Sequence, residues 1–215
     1  MPQPSSLRVT GDARVTAKPD RVQIDVGVVT RAAQAQEAAQ QNARASDTMQ
    51  AALHKAAGSG AQIKTVSYSL SPTYRYKANE EPQLTGYTAT NVVQVTLDEL
   101  GRIGAVIDAV TATGANQVQG IQFTLRDQDT VRAEALRQAA VSARAKAEVL
   151  AGALQLKIVR VLNVEESSPR VMPVRTMMAG AARTAGGMAA TPVEAGTLDV
   201  TADVMLTVEV APAQR

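Results

Sequence analysis

The sequence has no cysteine, no tryptophan and a single histidine among its 215 residues. Without cysteine the chain forms no disulfide, presents no thiolate to a metal and has no cysteine nucleophile. The one histidine, His54, falls near the end of a predicted helix, where an imidazole interacts favourably with the helix dipole. With no second histidine and no Gly-x-Ser-x-Gly motif, a hydrolytic triad is not expected. We therefore predict a protein that is not an enzyme and holds no metal or cofactor.

Aromatic residues are also scarce, at 2% of the chain, although hydrophobic residues make up 45%. The core must then be filled by valine, isoleucine, leucine and alanine, which requires close approach of the backbones. No run reaches the roughly 20 apolar residues that span a bilayer. A membrane-spanning helix is not predicted.

Charge is nearly balanced, with 22 basic and 20 acidic residues and a net charge of +2. Segment 168–193 contains three arginines and no acid, so the rest of the chain holds 19 basic against 20 acidic residues. A basic face with interleaved aromatic residues, which is typical of nucleic-acid binding, is missing. Nucleic acid is not an expected partner.

The pattern of apolar residues predicts an α+β fold of order ββαββ followed by αβαββ. Alternation over 7–17 and again over 22–28 predicts a hairpin, and Thr30 is the predicted N-cap of a helix over 31–57. Further strands are predicted at 63–76, 86–97, 118–125, 157–164 and 197–210. A short helix capped by Asp98 is also predicted, as is a long helix that begins at Asp127 or Asp129. The hairpins favour mainly antiparallel sheets with helices on one face. We expect one domain over 7–210, made of two intertwined halves (about 7–97 and 98–210), with 168–193 as a loop insertion.

Both long helices carry mainly alanine on their predicted buried faces. In the first helix this face comprises Ala35, Ala38, Asn42, Ala45, Met49, Ala52, Leu53 and Ala56. In the second it comprises Leu136, Ala139, Ala143, Ala147, Leu150 and Leu154. Small side chains at these positions indicate helices lying close to their sheets.

Four of the five aromatic residues are tyrosines in the second strand pair, namely Tyr68, Tyr74, Tyr76 and Tyr87. Alternation places Tyr68, Tyr74 and Tyr76 on one face. They could stack on a flat ligand, cover an interface with another subunit, or pair across the strands with Tyr87.

Segment 168–193 combines methionine, arginine and small residues. The residues that we expect to contact a partner or another subunit are Met172, Val174, Arg175, Met177, Met178, Arg183 and Met188. Methionine adapts to irregular apolar surfaces, and arginine attracts anionic lipid head groups, so peripheral contact with a membrane or envelope is a further expectation. The alternative is a poorly ordered insertion.

Several short signatures occur in an order and spacing that resemble a known family. They are Val9-Thr10-Gly11, Pro19-Asp20, Gly86-Tyr87-Thr88-Ala89-Thr90-Asn91 with Val93 and Val95, Gly114-Ala115-Asn116 before Val118, Ile121 and Phe123, and a helix with Ala135, Ala139, Ala143, Lys146, Ala147, Leu150 and Ala151. Together they resemble the SIMPL-domain family of bacterial proteins, often called periplasmic immunogenic or oxidative-stress-defence (YggE-like) proteins. The resemblance covers about 7 to 210. Ala13 is a departure, since the family usually has a second glycine there.

The resemblance implies an exported protein with a SIMPL-type α+β fold and a tendency to form ring-like homo-oligomers, but no known reaction. Met1-Pro2-Gln3-Pro4 has no charged-then-apolar signal pattern, which indicates either a cytosolic start or a mature chain whose signal peptide was removed. The family favours the second, and hence a periplasmic or secreted protein. The expected function is non-enzymatic self-assembly linked to oxidative-stress defence or envelope contact. The alternative is a small-molecule binder with a tyrosine-lined surface.

Overall fold

The computed structural model describes residues 5–174 and 193–213, which form two β-sheets with helices on one face of each. The strands are β1 (Ser6–Ala17), β2 (Arg21–Ala32), β3 (Gln62–Arg75), β4 (Gln83–Leu97), β5 (Gln117–Thr124), β6 (Leu156–Val174) and β7 (Thr197–Pro212). The helices are α1 (Ala35–Ala57), α2 (Ile103–Ala112) and α3 (Gln128–Ala153), with a 3₁₀ turn at Leu100–Arg102. All strand pairs are antiparallel. The predicted α+β class and the order of elements are confirmed.

The larger sheet has the strand order β3-β4-β2-β5 and is covered on one face by α1 and α2. Alternation in β2 buries the side chains of Val22, Ile24, Val26 and Val28. Met49 and Leu53 of α1 pack on them, as do Val106 and Val110 of α2. The core is therefore aliphatic, as the composition predicts.

A buried polar side chain joins α1 to this sheet. Asn42 is fully buried, and its Nδ2 donates hydrogen bonds to the carbonyl oxygens of Val28 (2.9 Å) and Ala89 (3.0 Å). Val28 belongs to β2 and Ala89 to β4, so one amide fixes the helix over two neighbouring strands.

The smaller sheet has the order β1-β7-β6 and is covered on one face by α3. The buried residues of α3 are Ala135, Ala139, Ala143, Ala147 and Ala151, so the predicted alanines 139, 143 and 147 are confirmed. The predicted burial of Leu150 and Leu154 is wrong, because these side chains are 43% and 61% exposed. A stripe repeating every four residues places alanine at the fully buried positions and turns Leu150 and Leu154 away from the sheet, whereas the predicted Leu136 is partly buried against it.

Gly11 in β1 explains why that stripe must be small. A Cβ at residue 11 would lie 2.2 Å from the carbonyl oxygen of Ala139 and 2.2 Å from the amide nitrogen of Ala143. Contacts this short mean that the backbones of β1 and α3 touch at a point where no side chain fits. This glycine belongs to the signature Val9-Thr10-Gly11.

The predicted hairpin between the first two strands is wrong. β1 pairs with β7 from the end of the chain, whereas β2 lies between β4 and β5. Asp20, between β1 and β2, forms hydrogen bonds at the end of β5. Its amide donates to the Thr124 carbonyl (3.2 Å), and its Oδ1 accepts from the Arg126 amide (2.7 Å). These bonds attach the start of β2 to the end of β5 and leave β1 free to join another sheet.

Two of the three predicted helix caps are also wrong. Thr30 lies within β2, which continues to Ala32, and the N-cap of α1 is Gln34. Asp98 caps no helix, because its carboxylate accepts from Arg21 Nε at 2.8 Å, a hydrogen bond that lowers the pKa of Asp98. Asp127 is confirmed as the N-cap of α3, since its side chain accepts from the amides of residues 129 and 130.

Residues 168–174 correct the predicted loop insertion. They continue β6: after a register shift between Ser167 and Arg170, residues 170–174 pair with β7, with Met172 opposite Asp199. The predicted strand end at Val164 is therefore ten residues too early.

The described contacts group the chain into two compact units, each discontinuous in sequence. One unit holds residues 5–18, 127–174 and 196–213, and the other holds 19–126 and 193–195. This division differs from a boundary between halves 7–97 and 98–210, because the first strand is grouped with the last two. That the chain is a single domain stays a prediction. In the described part of the chain, no helix combines the length and apolarity needed to cross a membrane.

Candidate functional site

The two sheets have four edge strands, and their sequences differ in how well they resist the addition of another strand. Edge strands are protected by charged side chains, bulges and short length. β1 carries Arg8, Asp12 and Arg14. The long edge strand β6 carries five charged residues between 157 and 170, and its pairing with β7 shifts register three times. Both edges of the smaller sheet are therefore protected.

β5, at one edge of the larger sheet, is protected by its short length and by its irregular pairing with β2. It has only eight residues, and its register with β2 shifts between Ile24 and Asp25. The extra residue is Gly120, which has φ of +62°. Glycine in this left-handed conformation is typical of a bulge that interrupts an edge.

β3, at the other edge of the larger sheet, lacks most of this protection. Between Lys64 and Arg75 it contains no charged residue. Its pairing with β4 is regular from Ser67 to Thr73, where seven consecutive residues have consecutive partners. This strand edge is the one most open to an added strand.

Exposed apolar side chains form a row along β3. Tyr68 is 55% exposed, Leu70 40% and Tyr74 45%, and Leu84 of β4, opposite Tyr74, is 51% exposed. Residues two apart on a strand point to the same face and lie roughly 7 Å from each other. We call Tyr68, Leu70, Tyr74 and Leu84 the β3 row.

The register assigns the β3 row to the helix-bearing face of the sheet. Tyr68 is opposite Asn91, and Leu70 is opposite Ala89. Asn91 and Ala89 lie on the same face of β4 as Val93, which is fully buried in the core beneath the helices. The row is nevertheless exposed, because Ile63 is the only residue of β3 that is even partly buried. The helices thus cover β2 and β4 but leave β3 open beyond Ile63.

Pro72 limits where a strand could be added. Proline has no amide hydrogen and is tolerated within sheets on edge strands where that position faces solvent. Its place opposite Tyr87 therefore leaves one gap in the row of donors along the outer edge. We infer that an added strand pairs best along residues 67–71, between the register shift at Val66 and Pro72.

The four predicted tyrosines are only partly brought together. Tyr68 and Tyr74 share the β3 row, whereas Tyr76 lies beyond the end of β3 and is 75% exposed. Tyr87 is half-buried and has Pro72 and Ala32 as its register partners, so no tyrosine lies directly across from it. The predicted roles in ligand stacking or subunit contact stay predictions.

The predicted contact residues of 168–193 are mostly outside the described residues. Met172 is in β6 and 53% exposed, and Val174 ends that strand, its side chain lying outside the description. Arg175, Met177, Met178, Arg183 and Met188 also lie outside the described residues.

Sequence reasoning missed Leu70 and Leu84. Leu70 shares its alternation with Tyr68 and could have been found by extending the tyrosine pattern. Leu84 was placed in a connecting segment, because the prediction began β4 at Gly86 instead of Gln83.

Comparison with known proteins gives one family and several relatives. The model of the SIMPL family, described as a protein of unknown function (DUF541), matches residues 7–208. The "26 kDa periplasmic immunogenic protein" of Brucella melitensis is 31% identical over 190 residues, covering 83% of this chain and 76% of the relative. The "Uncharacterized protein YggE" of Escherichia coli K12 is 27% identical over 123 residues, covering 56% of this chain and 50% of that protein.

Proposed function

The chain belongs to the SIMPL family, and on that premise we propose that it is an exported, non-enzymatic protein that assembles with copies of itself through the β3 edge. The observation that carries the proposal is the uncharged, regularly paired stretch of β3 with exposed Tyr68, Leu70 and Tyr74. A strand from a second copy would satisfy the outer backbone groups of β3 and cover the row.

Export to the periplasm is supported by a relative. The Brucella melitensis protein, which aligns with 83% of this chain, is named periplasmic. A link to oxidative-stress defence or envelope contact is part of the same proposal and rests on the family resemblance.

A charged side chain on the β3 edge tests the assembly directly. Leu70→Lys places an ammonium group where a second strand would pack, and lysine is a common natural protection of exposed edges. Because Leu70 is 40% exposed, the substitution should leave the monomer folded. We expect light scattering to show a smaller particle for the variant than for the unmodified chain.

Val141→Lys is the matched control, since it likewise replaces an exposed aliphatic side chain with lysine, at a position of α3 that is 59% exposed. Its mass should equal that of the unmodified chain, and both variants should keep the same circular dichroism. An assembly that survives Leu70→Lys unchanged would rule out the β3 edge.

The second candidate function is small-molecule binding on the same row. It is favoured by Tyr68 and Tyr74, which are exposed on one face of β3 with Leu70 and Pro72 between them, since a tyrosine ring can stack on a flat ligand. The chain has no tryptophan, so its fluorescence comes from four tyrosines and would report such binding. Saturable quenching by a metabolite, lost in Tyr74→Leu while the particle mass stays the same, would favour this function over assembly.

A further inference from the structure

The backbone groups that β3 offers to an added strand belong to alternate residues, because neighbouring residues of a strand direct their amides and carbonyls to opposite sides. Pro72 has no amide hydrogen, and it is tolerated in this edge strand because its nitrogen faces away from β4. Thr73 points the other way, since its carbonyl accepts a hydrogen bond from Thr85 Oγ1 of β4 at 2.9 Å. The alternation is regular in this stretch, so the amides and carbonyls of Tyr68 and Leu70 point outward.

The stretch Ser67-Tyr68-Ser69-Leu70-Ser71 matches itself when a second copy runs antiparallel to it. With Ser69 opposite its own counterpart, Tyr68 lies opposite Leu70 of the second copy, and Ser67 lies opposite Ser71. The outward amides and carbonyls of residues 68 and 70 then form two complete hydrogen-bonded pairs. Tyrosine–leucine pairs lie on one face and serine pairs on the other, where directly opposed side chains interact across the strands.

The two neighbouring registers are less favourable. With Leu70 at the centre, Pro72 would lie opposite Tyr68 and could not donate a hydrogen bond to it. With Tyr68 at the centre, Leu70 would lie opposite Val66, where the pairing of β3 with β4 shifts register. The register centred on Ser69 is therefore the one that pairs both outward-facing residues of 67–71.

The other edge strands of a second copy are poorer partners for β3. Charges protect β1 and β6, register shifts interrupt β5 and β6, and β5 is also short. Among the four edges in residues 5–174 and 193–213, the edge that best completes β3 is thus β3 itself. A surface that pairs with its own counterpart forms a closed two-fold contact.

We propose that two copies of the chain join by antiparallel pairing of β3 with β3 about a two-fold axis at Ser69, which makes one sheet from the four strands of each copy. This inference rests on the proposed assembly through the β3 edge and identifies the partner as the same edge of a second copy. Because the contact closes on itself, an assembly in which every β3 is paired contains an even number of copies.

Single cysteines test the pairing without interference, because the chain has no cysteine of its own. The two copies of residue 69 would form a non-hydrogen-bonded pair with Cα atoms about 4.5 Å apart, a separation that a disulfide can bridge. Under oxidation by copper phenanthroline, Ser69→Cys should shift on a non-reducing gel from the 22.5 kDa monomer to twice this mass. Ser167→Cys, at an exposed serine of edge strand β6, is the control and should stay at the monomer mass.

Ser67→Cys and Ser71→Cys test the direction and register of the strands. Each variant alone should give no disulfide dimer, because the two copies of the same residue would lie four residues, or about 14 Å, apart along the strands. Co-expressed, the two variants should cross-link with each other. Parallel pairing in register would instead cross-link each variant with itself, and that result overturns the proposal.

The mass of the assembly distinguishes a failure of this inference from a failure of the proposed function. If Leu70→Lys lowers the mass while Ser69→Cys cross-links no more than Ser167→Cys, the copies assemble through β3 and a different surface, and the two-fold pairing is wrong. If the unmodified chain has a mass of 22.5 kDa at every concentration, the pairing and the assembly are both wrong.

Discussion

Gly11 shows how one residue determines the distance between a helix and a sheet. Hydrogen alone fits between β1 and α3 at this point, because an added Cβ would lie 2.2 Å from two backbone atoms of the helix. Both are main-chain atoms of α3, so neither can move away without moving the helix backbone. A side chain at residue 11 would therefore either shift the whole helix or strain the contact.

Gly11→Ala should therefore lower the free energy of unfolding by about 1–3 kcal/mol, the usual effect of overpacking. Gly152→Ala is the control, because an added Cβ within the same α3 would have no neighbour within 4 Å. That control should be neutral or stabilising by about 0.5–1 kcal/mol, since alanine is favoured over glycine in a helix. Urea unfolding followed by circular dichroism measures both, and equal midpoints would show that α3 accommodates the methyl group.

At the residue scale, sequence reasoning identified small residues but not their contacts. The signature Val9-Thr10-Gly11 and the alanines of α3 are readable in the sequence, and alanines 139, 143 and 147 are buried as predicted. That Gly11 touches Ala139 and Ala143 could not be predicted, because more than 120 residues separate them. The leucines 150 and 154 were misassigned because hydrophobicity was given more weight than size.

At the scale of elements, Asn42 links a helix to two strands. Its side chain is predicted on the buried face of α1, but only the structure identifies its partners, the carbonyls of Val28 and Ala89. These carbonyls belong to neighbouring strands, so the amide fixes both the height and the rotation of α1 over the sheet.

Asn42→Leu should lower the free energy of unfolding by about 1–3 kcal/mol, because the side chain would leave buried carbonyls without this donor. Gln40→Leu makes the same kind of change on the same helix at an exposed position and should have little effect. Thermal unfolding of both variants checks this expectation. A melting temperature for Asn42→Leu equal to that of Gln40→Leu would show that water or the backbone replaces the amide.

The elements themselves were largely predictable, whereas their pairing was not. Alternation of apolar residues located β1 and β2 to within a few residues, because a half-buried strand has a period of two. The predicted hairpin between β1 and β2 was wrong because the alternation of apolar residues does not specify which strands pair. Asp20 binds Thr124 and Arg126 instead of closing a turn between β1 and β2. The end of β6 was missed because residues 165–168, directly after Val164, are exposed on both faces of the strand and show no alternation.

At the scale of the whole molecule, the sheet edges are unequal. Charges, bulges or short length protect β1, β5 and β6, whereas the middle of β3 is uncharged, regularly paired and apolar on its exposed face. The tyrosines were visible in the sequence as a cluster. Their exposure depends on α1 covering β2 and β4 but not β3, which is a property of the assembled fold.

Sedimentation equilibrium of the unmodified chain over a range of concentrations tests the central claim, that β3 is completed by a second copy. The monomer mass is 22.5 kDa. We predict a mass that is a multiple of this value in the unmodified chain and that falls toward it in Leu70→Lys. A mass of 22.5 kDa for the unmodified chain at every concentration would contradict self-assembly through β3.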